Sequence, residues 1–166
     1  MDTSFFHAYD IRGLVDTELN NETAERIGKA FGTIIKGKPV VVGRDIRYSS
    51  KKIQPAFIKG LMSTGCAITD IGECPSPVLF YNAFHLKQFG AVITASHNPA
   101  EYTGFKFVEP NGLSFLNQYE EMKEIYDSGR FSSGKGNVRQ ADGYTPYRDF
   151  LRQIIRLNPK KKVKVA

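Results

Sequence analysis

The sequence has 166 residues, 41% of them hydrophobic, which suffices for one compact domain with a core of its own. Its formal net charge is +6, but the 23 basic residues are spread among 17 acidic ones, and the one basic cluster, residues 160–164, lies at the C-terminal end. No apolar stretch approaches the ~20 residues that cross a bilayer, so we expect a cytoplasmic protein without a membrane or nucleic-acid partner.

The first part of the chain alternates between helical and strand patterns. Apolar residues at helical spacing, after a cap at Asn20 or Asn21, predict a first helix. The continuous run Val40–Val42 predicts a strand buried on both faces, which is typical of parallel sheets. Ser49 or Ser50 is expected to cap a second helix. The segments predicted here are helices 21–35, 49–64 and 78–86 and strands 40–42, 66–71 and 91–94.

The rest of the chain continues this α/β pattern. Alternation over residues 103–109 predicts a strand that forms a hairpin with the preceding strand, so the sheet is expected to be mixed. Residues 127–143 are rich in Gly and Ser, and we interpret them as an exposed connection between helices at 116–126 and 145–157. The sequence thus predicts an α/β fold: a three-layer α/β/α domain with a mostly parallel, mixed sheet of about four strands.

This domain is assigned to residues 1–140. Residues 141–166 are interpreted as a linker helix and the start of a second domain, because residues 163–166 have the pattern of a strand that has only begun. We therefore interpret the chain as truncated.

The residues that carry chemistry are concentrated in the loop Thr94–Pro99, which follows a predicted buried strand. In open α/β sheets, ligands bind at the carboxyl ends of such strands. Ser96 beside His97 could pair a nucleophile with a base, but neighbouring side chains seldom have that orientation, and no GxSxG motif surrounds the serine. Ser, His, Asn and Pro are also common turn residues, so a functional loop and a simple turn both stay open.

Four motifs in a fixed order place this loop in a family. The loop, followed by Gly104, Phe105 and Lys106, resembles the phosphoserine loop of the α-D-phosphohexomutases, the phosphoglucomutases, phosphomannomutases and phosphoglucosamine mutases. The resemblance covers nearly all of residues 5–108 and implies that the chain is the N-terminal domain of such an enzyme. The other three matching motifs are YDIRG at 9–13, VGRDIR at 42–47 and GECPSPV at 72–78.

The resemblance implies a catalytic role for Ser96 and Lys106 and a phosphate-binding role for Arg12. Ser96 would be the phosphorylated serine, which passes its phosphoryl group to a hexose monophosphate, forms a bisphosphorylated sugar and takes a phosphoryl group back from the other end. Phosphate would thereby move between C1 and C6. Arg12 would contact the phosphate, and Lys106 would lie near the phosphoserine and act in general acid or base chemistry. Without the resemblance, either cation could be a solvated surface charge.

Three further residues would contribute to phosphate or sugar binding, namely His97, Asn98 and Tyr9. The residue types alone leave other roles open, because His97 could simply anchor the loop and Tyr9 could be half-buried packing. The charged residues of the second motif are expected to form ion pairs that hold a strand end, and they are Arg44, Asp45 and Arg47.

The resemblance also implies Mg²⁺, held by an oxygen of the phosphate on Ser96 and by aspartates of an Asp-Gly-Asp loop in the second domain, and a hexose 1,6-bisphosphate as activator. The chain contains no Asp-Gly-Asp sequence, and Thr103 stands where many members have asparagine, which puts local detail in doubt. We therefore expect the chain to act on hexose phosphates only together with the remaining domains of the same protein, and to be inactive or nearly so alone.

Two other functions stay open at this stage. The chain could be a phosphosugar-binding module that uses the fold without turnover, because a fold does not fix a function. A serine-dependent phosphatase or hydrolase would require a general base that the sequence does not clearly supply. The preferred sugar, whether mannose, glucose or glucosamine phosphate, is not determined by these residues.

Overall fold

The computed structural model describes residues 3–116 and 118–155. Helices and strands alternate along most of this part of the chain, as the hydrophobic pattern predicts. The strands are β1 (Ile11–Leu14), β2 (Val40–Arg44), β3 (Ala67–Glu73), β4 (Phe89–Ile93), β5 (Tyr102–Val108) and β6 (Asn137–Gln140). The helices are α1 (Asn21–Ile34), α2 (Tyr48–Ser63), α3 (Ser76–Leu86), α4 (Tyr119–Ser128) and α5 (Tyr144–Ile154).

The strands form one mixed sheet in the order β1-β5-β4-β2-β3-β6. β2 pairs in parallel with β3 and β4, and β3 pairs in parallel with β6. β5 is antiparallel to both β4 and β1, so the expected hairpin and the mixed sheet are confirmed. The parallel strands at the centre end at the same edge, and this edge carries the loop with Ser96.

The sheet has six strands in the described residues, whereas about four were expected. The two additional strands lie at the edges, and each has only four residues. All four residues of β6 are exposed, and Val138 is its one large apolar side chain, so no hydrophobic pattern marks it in the sequence. The predicted exposed connection at 127–143 was therefore correct about exposure but wrong about the absence of a strand.

Helices cover both faces of the sheet, which confirms the three-layer α/β/α arrangement. Apolar residues of α1, α2 and α4 form the larger core on one face, where the Phe31 and Phe107 rings stack with centroids 4.2 Å apart. A smaller core on the other face contains Val78 and Leu79 of α3, with Tyr147 of α5 packed against it. Val40 and Val42 side chains belong to the first core and Val41 to the second, as expected for a strand buried on both faces.

The expected helix caps are confirmed at one helix and wrong at another. The Asn20 side chain accepts hydrogen bonds from the backbone of Glu22 and Thr23 at the start of α1. α2, in contrast, begins at Tyr48, so Ser49 and Ser50 lie inside its first turn and are buried instead of capping it. Caps require an extended backbone that these serines do not have, and serine is frequent enough in sequences to mislead.

The described residues end at 155, one residue after α5. Gly143 accepts a hydrogen bond from the Asn82 side chain of α3, which places the start of α5 against this helix. The predicted strand start at 163–166 and the basic cluster at 160–164 lie outside the described residues, and the domain boundary at 140/141 stays a prediction. Of the helices described, none is both long and apolar enough to cross a membrane.

Candidate functional site

The loop that connects β4 to β5, residues 94–101, is called the serine loop below. It begins where β4 leaves the sheet, and it exposes the Ser96 side chain to solvent. Ser96 has a φ of +57°, a left-handed backbone conformation that is uncommon for a residue with a Cβ atom. The Ser96 N–H donates to the Oγ1 atom of the buried Thr94 at 2.9 Å, which supports this turn. The loop therefore holds the serine outward at a conformational cost, a feature that often marks functional sites.

His97 lies beside Ser96 but does not form a catalytic dyad of the hydrolase kind. Its Nδ1 atom is 3.3 Å from the Ser96 Oγ atom, and both side chains are exposed. Nucleophilic serines require a base that a third group orients. Among residues 3–116 and 118–155, no group forms a hydrogen bond with the other ring nitrogen of His97. The geometry thus gives no support to a serine hydrolase.

Arg12 and Asn98 meet at the serine loop, although they are 86 positions apart in the sequence. The Arg12 Nη1 atom is 3.5 Å from the Asn98 Oδ1 atom, and its Nη2 atom forms an ion pair of 2.7 Å with the buried Asp10 carboxylate. Asn98 also donates from its Nδ2 atom to the Ala95 carbonyl oxygen at 2.8 Å. Asn98 therefore shapes the loop, and Asp10 fixes a guanidinium group at its side.

Gly104 allows this close approach of β1 to the serine loop. It lies opposite Arg12 in the pairing of β1 with β5. A Cβ atom at this position would be 2.2 Å from the Ile11 carbonyl oxygen and 3.1 Å from that of Thr94. Only glycine fits between the two backbones, so the glycine of the Gly-Phe-Lys motif has a direct physical role.

Lys106 lies on the same face of the sheet as Arg12. It follows Gly104 by two positions on β5, and side chains two apart on a strand share a face. The Lys106 side chain is half-buried. Within the described part of the chain, no carboxylate is at ion-pair distance from its ammonium group. Arg12 and Lys106 thus lie on one face of the sheet, and Lys106 has no acidic partner among the described residues.

Tyr9 is not brought into the loop by the structure. Its side chain is 72% exposed, and in the described residues it forms neither a hydrogen bond nor an aromatic contact with the serine loop. His7, to which the sequence assigned no role, places its Nε2 atom 3.2 Å from the Arg12 carbonyl oxygen. The half-buried packing considered for Tyr9 is therefore wrong, and its role in ligand binding stays a prediction.

Arg47 contacts the serine loop more extensively than any sequence pattern indicated. The expected ion pair between Arg47 and Asp45 is present at 3.3 Å, whereas Arg44 pairs with Glu73, outside its motif, at 2.9 Å. The Arg47 guanidinium also donates to backbone carbonyl oxygens of the loop and of the first residue of β5. These belong to Ser96, Asn98, Pro99 and Tyr102. Since carbonyl groups are present in every residue, no signal in the sequence could have identified them as partners.

The described residues do not form a magnesium site by themselves. Within them there is no group of three or more His, Cys, Asp or Glu side chains that could hold a metal ion. Mg²⁺ requires several oxygen ligands in near-octahedral geometry, and Ser96 after phosphorylation would supply one. The donor set of this part of the chain therefore does not fit a complete site.

The comparisons with known proteins identify the family of this α/β/α domain. The family model described as phosphoglucomutase/phosphomannomutase, alpha/beta/alpha domain I, matches residues 3–132. The chain belongs to this family, as its first domain.

Individual relatives agree with this assignment. A phosphoglucomutase/phosphomannomutase from Thermococcus kodakarensis is 38% identical over 168 residues, which cover 95% of this chain and 37% of the relative. A protein named as a probable phosphoglucosamine mutase from the same organism is 38% identical over 162 residues, covering 92% of this chain and 35% of the relative. The crystal structure of a phosphoglucomutase/phosphomannomutase family protein from Burkholderia thailandensis superposes with a TM-score of 0.87 at 32% identity, covering 95% of this chain and 37% of that one. The chain thus spans little more than a third of the length of these proteins.

Proposed function

We propose that this chain is the catalytic-serine domain of a phosphohexomutase, which interconverts hexose 1-phosphate and hexose 6-phosphate through a phosphoserine and a bisphosphorylated sugar. The observation that carries the proposal is the conformation of the serine loop. Ser96 is exposed at a φ of +57° on the carboxyl side of β4, with the Arg12 guanidinium at the side of the same loop. A hydroxyl in this position can both accept and donate a phosphoryl group.

In the first half of the proposed reaction, phosphoserine 96 gives its phosphoryl group to the free hydroxyl of a hexose monophosphate. The bond between phosphorus and the serine Oγ breaks, and a bond to the sugar oxygen forms. The sugar hydroxyl loses its proton to a base, and the serine oxygen gains a proton. In the second half, the bisphosphorylated sugar presents its other phosphate, and the reverse transfer regenerates the phosphoserine.

Arg12 and Lys106 provide positive charge for this transfer. Phosphoryl transfer depends mainly on positioning and on stabilisation of the charge of the equatorial phosphate oxygens. Arg12 is held by Asp10 at 2.7 Å and is suited to bind phosphate. Lys106 has no acidic partner in the described residues, which suits it to give and take protons near Ser96.

The other loop residues complete the proposed ligand site. His97 and Asn98 contribute to phosphate or sugar binding from within the serine loop, and the exposed Tyr9 reaches the ligand from the segment before β1. Mg²⁺ would be held by an oxygen of the phosphate on Ser96 and by carboxylates of further domains of the same protein, and it would neutralise phosphate charge. A hexose 1,6-bisphosphate is the activator, because it can load the phosphoryl group onto Ser96.

The proposed substrates are hexose phosphates, and the proposed partners are further domains of the same protein. The chain is 38% identical both to a phosphoglucomutase/phosphomannomutase and to a probable phosphoglucosamine mutase, so these similarities do not favour one sugar. We propose that the domain alone is inactive or nearly so. Ser96 and His97 are open to water on this chain, whereas efficient phosphoryl transfer requires an enclosed site.

The experiment that tests the proposal measures phosphate on Ser96. The product of the complete reading frame that contains residues 1–166 is incubated with glucose or mannose 1,6-bisphosphate and magnesium chloride, and intact mass and peptide mapping follow. We expect one phosphate on the peptide that contains Ser96, and none after Ser96→Ala. Ser133→Ala, at another exposed serine, is the matched control and should keep the phosphate.

Phosphorylation of Ser96 distinguishes a mutase domain from a phosphosugar-binding module. If Ser96 carries no phosphate in the unaltered protein under any of these conditions, the mutase mechanism is refuted. Binding of hexose phosphates without phosphorylation would then favour the non-catalytic phosphosugar-binding module.

A further inference from the structure

Arg47 connects the segment between β2 and α2 to the serine loop. It lies in the connection between β2 and α2, and its guanidinium reaches across to the serine loop. Its Nη1 atom donates to the Pro99 carbonyl at 2.7 Å, and its Nη2 atom donates to the carbonyls of Ser96, at 3.1 Å, and Asn98. Three carbonyl groups of the loop are thereby bound by one side chain.

The orientation of this guanidinium is itself fixed. Its Nε atom is 3.3 Å from the Asp45 Oδ2 atom, and the backbone N–H of Arg47 donates to the Asp45 Oδ1 atom at 3.0 Å. The Arg47 side chain is 17% exposed, so most of its surface is shielded from water. Because Asp45 balances its charge and its two terminal nitrogens already donate to carbonyls, Arg47 is not a free cation available to a phosphate.

The loop needs such a restraint because its own backbone conformation is unfavourable. Ser96 adopts a φ of +57°, and the one hydrogen bond from its own N–H goes to Thr94. Strained backbone persists only where the surrounding structure holds it. A planar guanidinium can bind several carbonyls at once in a fixed geometry, whereas a lysine ammonium is a point charge on a flexible stem and cannot reproduce this set.

We infer that Arg47 is a positioning residue for phosphoryl transfer: it sets the conformation of the serine loop, and thereby the place of the Ser96 oxygen, without touching the substrate. This inference rests on the proposed function for its catalytic part. The restraint on the loop can be tested independently of any activity.

The first test measures hydrogen exchange at the loop amides in Arg47→Lys. The Asn98 N–H, which donates to Ala95, and the Tyr102 N–H, which donates to Pro99, report on the loop. We expect their protection to fall roughly tenfold, because several hydrogen bonds to a charged group are lost. Arg44→Lys is the matched control, since Arg44 lies three positions away and pairs with Glu73 instead of the serine loop. Its loop amides should exchange as in the unaltered protein.

The second test measures the kinetics of hexose phosphate interconversion by the product of the complete reading frame. A displaced nucleophile lowers kcat, so we expect Arg47→Lys to lose about 10- to 100-fold in kcat. Its KM should change less than about threefold, because Arg47 makes no substrate contact. Asp45→Asn keeps Arg47 but loosens its orientation. It should speed hydrogen exchange of the loop amides and lower kcat, both by less than Arg47→Lys does. If Arg47→Lys does not fold, Asp45→Asn is the variant on which exchange and kcat are measured.

Each outcome decides a separate part of the inference. Exchange and kcat that match those of Arg44→Lys would overturn it. Faster exchange with an unchanged kcat would overturn the catalytic part, and a rise in KM alone would show that Arg47 binds substrate instead. If Ser96 is never phosphorylated in the unaltered protein, the proposed function fails, and the exchange experiment alone decides whether Arg47 holds the loop.

Discussion

Ser96→Gly should give a more stable domain than Ser96→Ala, although both variants lack the proposed phosphorylation site. The reason is the backbone of the serine loop, where Ser96 has a φ of +57°. An L-residue with a Cβ atom in this conformation is disfavoured by roughly 1–2 kcal/mol, and glycine is not. The free energy of unfolding should therefore be higher for Ser96→Gly than for Ser96→Ala.

The magnitude follows from two opposing effects. Glycine removes the ~1–2 kcal/mol of strain. It also loses about 0.5–1 kcal/mol more backbone entropy on folding than a residue with a side chain. At the middle of each range, about 1.5 kcal/mol of strain against about 0.75 kcal/mol of entropy, the expected net gain of Ser96→Gly over Ser96→Ala is about 0.75 kcal/mol in the free energy of unfolding. The lost Oγ contact with His97, 3.3 Å and exposed, is common to both variants and cancels.

Urea unfolding followed by circular dichroism measures this difference, since the chain has no tryptophan for fluorescence. At roughly 2–4 °C per kcal/mol for a chain of this size, the thermal midpoint of Ser96→Gly should lie about 1–4 °C above that of Ser96→Ala. Lys87, with a φ of +52° at the end of α3, serves as a positive control for the same pair of substitutions. The exposed Ser133, which has no positive φ, should show the opposite sign.

The reasoning is refuted if Ser96→Gly is no more stable than Ser96→Ala while glycine is stabilising at Lys87. That result would mean that the loop releases its strain elsewhere. It would also remove the ground for expecting Arg47 to restrain an unfavourable conformation.

Three further predictions test the surroundings of the site. Gly104→Ala places a Cβ atom 2.2 Å from a β1 carbonyl oxygen, so unfolding in urea should show a loss of about 1–3 kcal/mol, and an unchanged stability would contradict this close packing. Arg12→Gln should lower the phosphate on Ser96 at least tenfold by peptide mapping with an unchanged dichroism spectrum, and full phosphorylation would exclude Arg12 from the transfer. Burial raises the pKa of the Cys66 thiol and raises the pKa of Cys74 to about 11, so a thiol reagent at pH 8 should label neither cysteine until the protein unfolds. Since the folded state keeps the Cys74 proton, the contribution of this thiol to stability is complete below pH 9 and is lost as the pH rises towards 11, a loss that Cys74→Ala should reduce.

Much of the fold follows from local patterns in the sequence. The valine run Val40–Val42 is buried on both faces of the sheet because its side chains alternate between two cores. Asn20 caps α1 because its side chain reaches the amides of the first helical turn. Local patterns do not predict the edge strands β1 and β6. These strands form because their backbone groups pair with β5 and β3, and not because of an apolar pattern.

The candidate site divides in the same way. The sequence places Ser96 and its loop after a buried strand, and the motif around them predicts the family to which the chain belongs. It does not predict the left-handed backbone of Ser96 or the burial of Ser49 and Ser50. Serine is common in turns, caps and nucleophile loops alike, so its presence alone does not distinguish them.

The sequence by itself determined the order of the helices and of the four central strands, and the position of the serine loop, because these depend on residues near one another in the chain. Only the tertiary structure decided which cations surround that loop. Arg12 meets Asn98 across 86 positions, and Arg47 meets Ser96 across 49. Contacts between residues so far apart in the sequence depend on the order of the strands in the sheet. Hydrogen bonds to backbone carbonyl groups also cannot be predicted from residue type, because every residue has such a group.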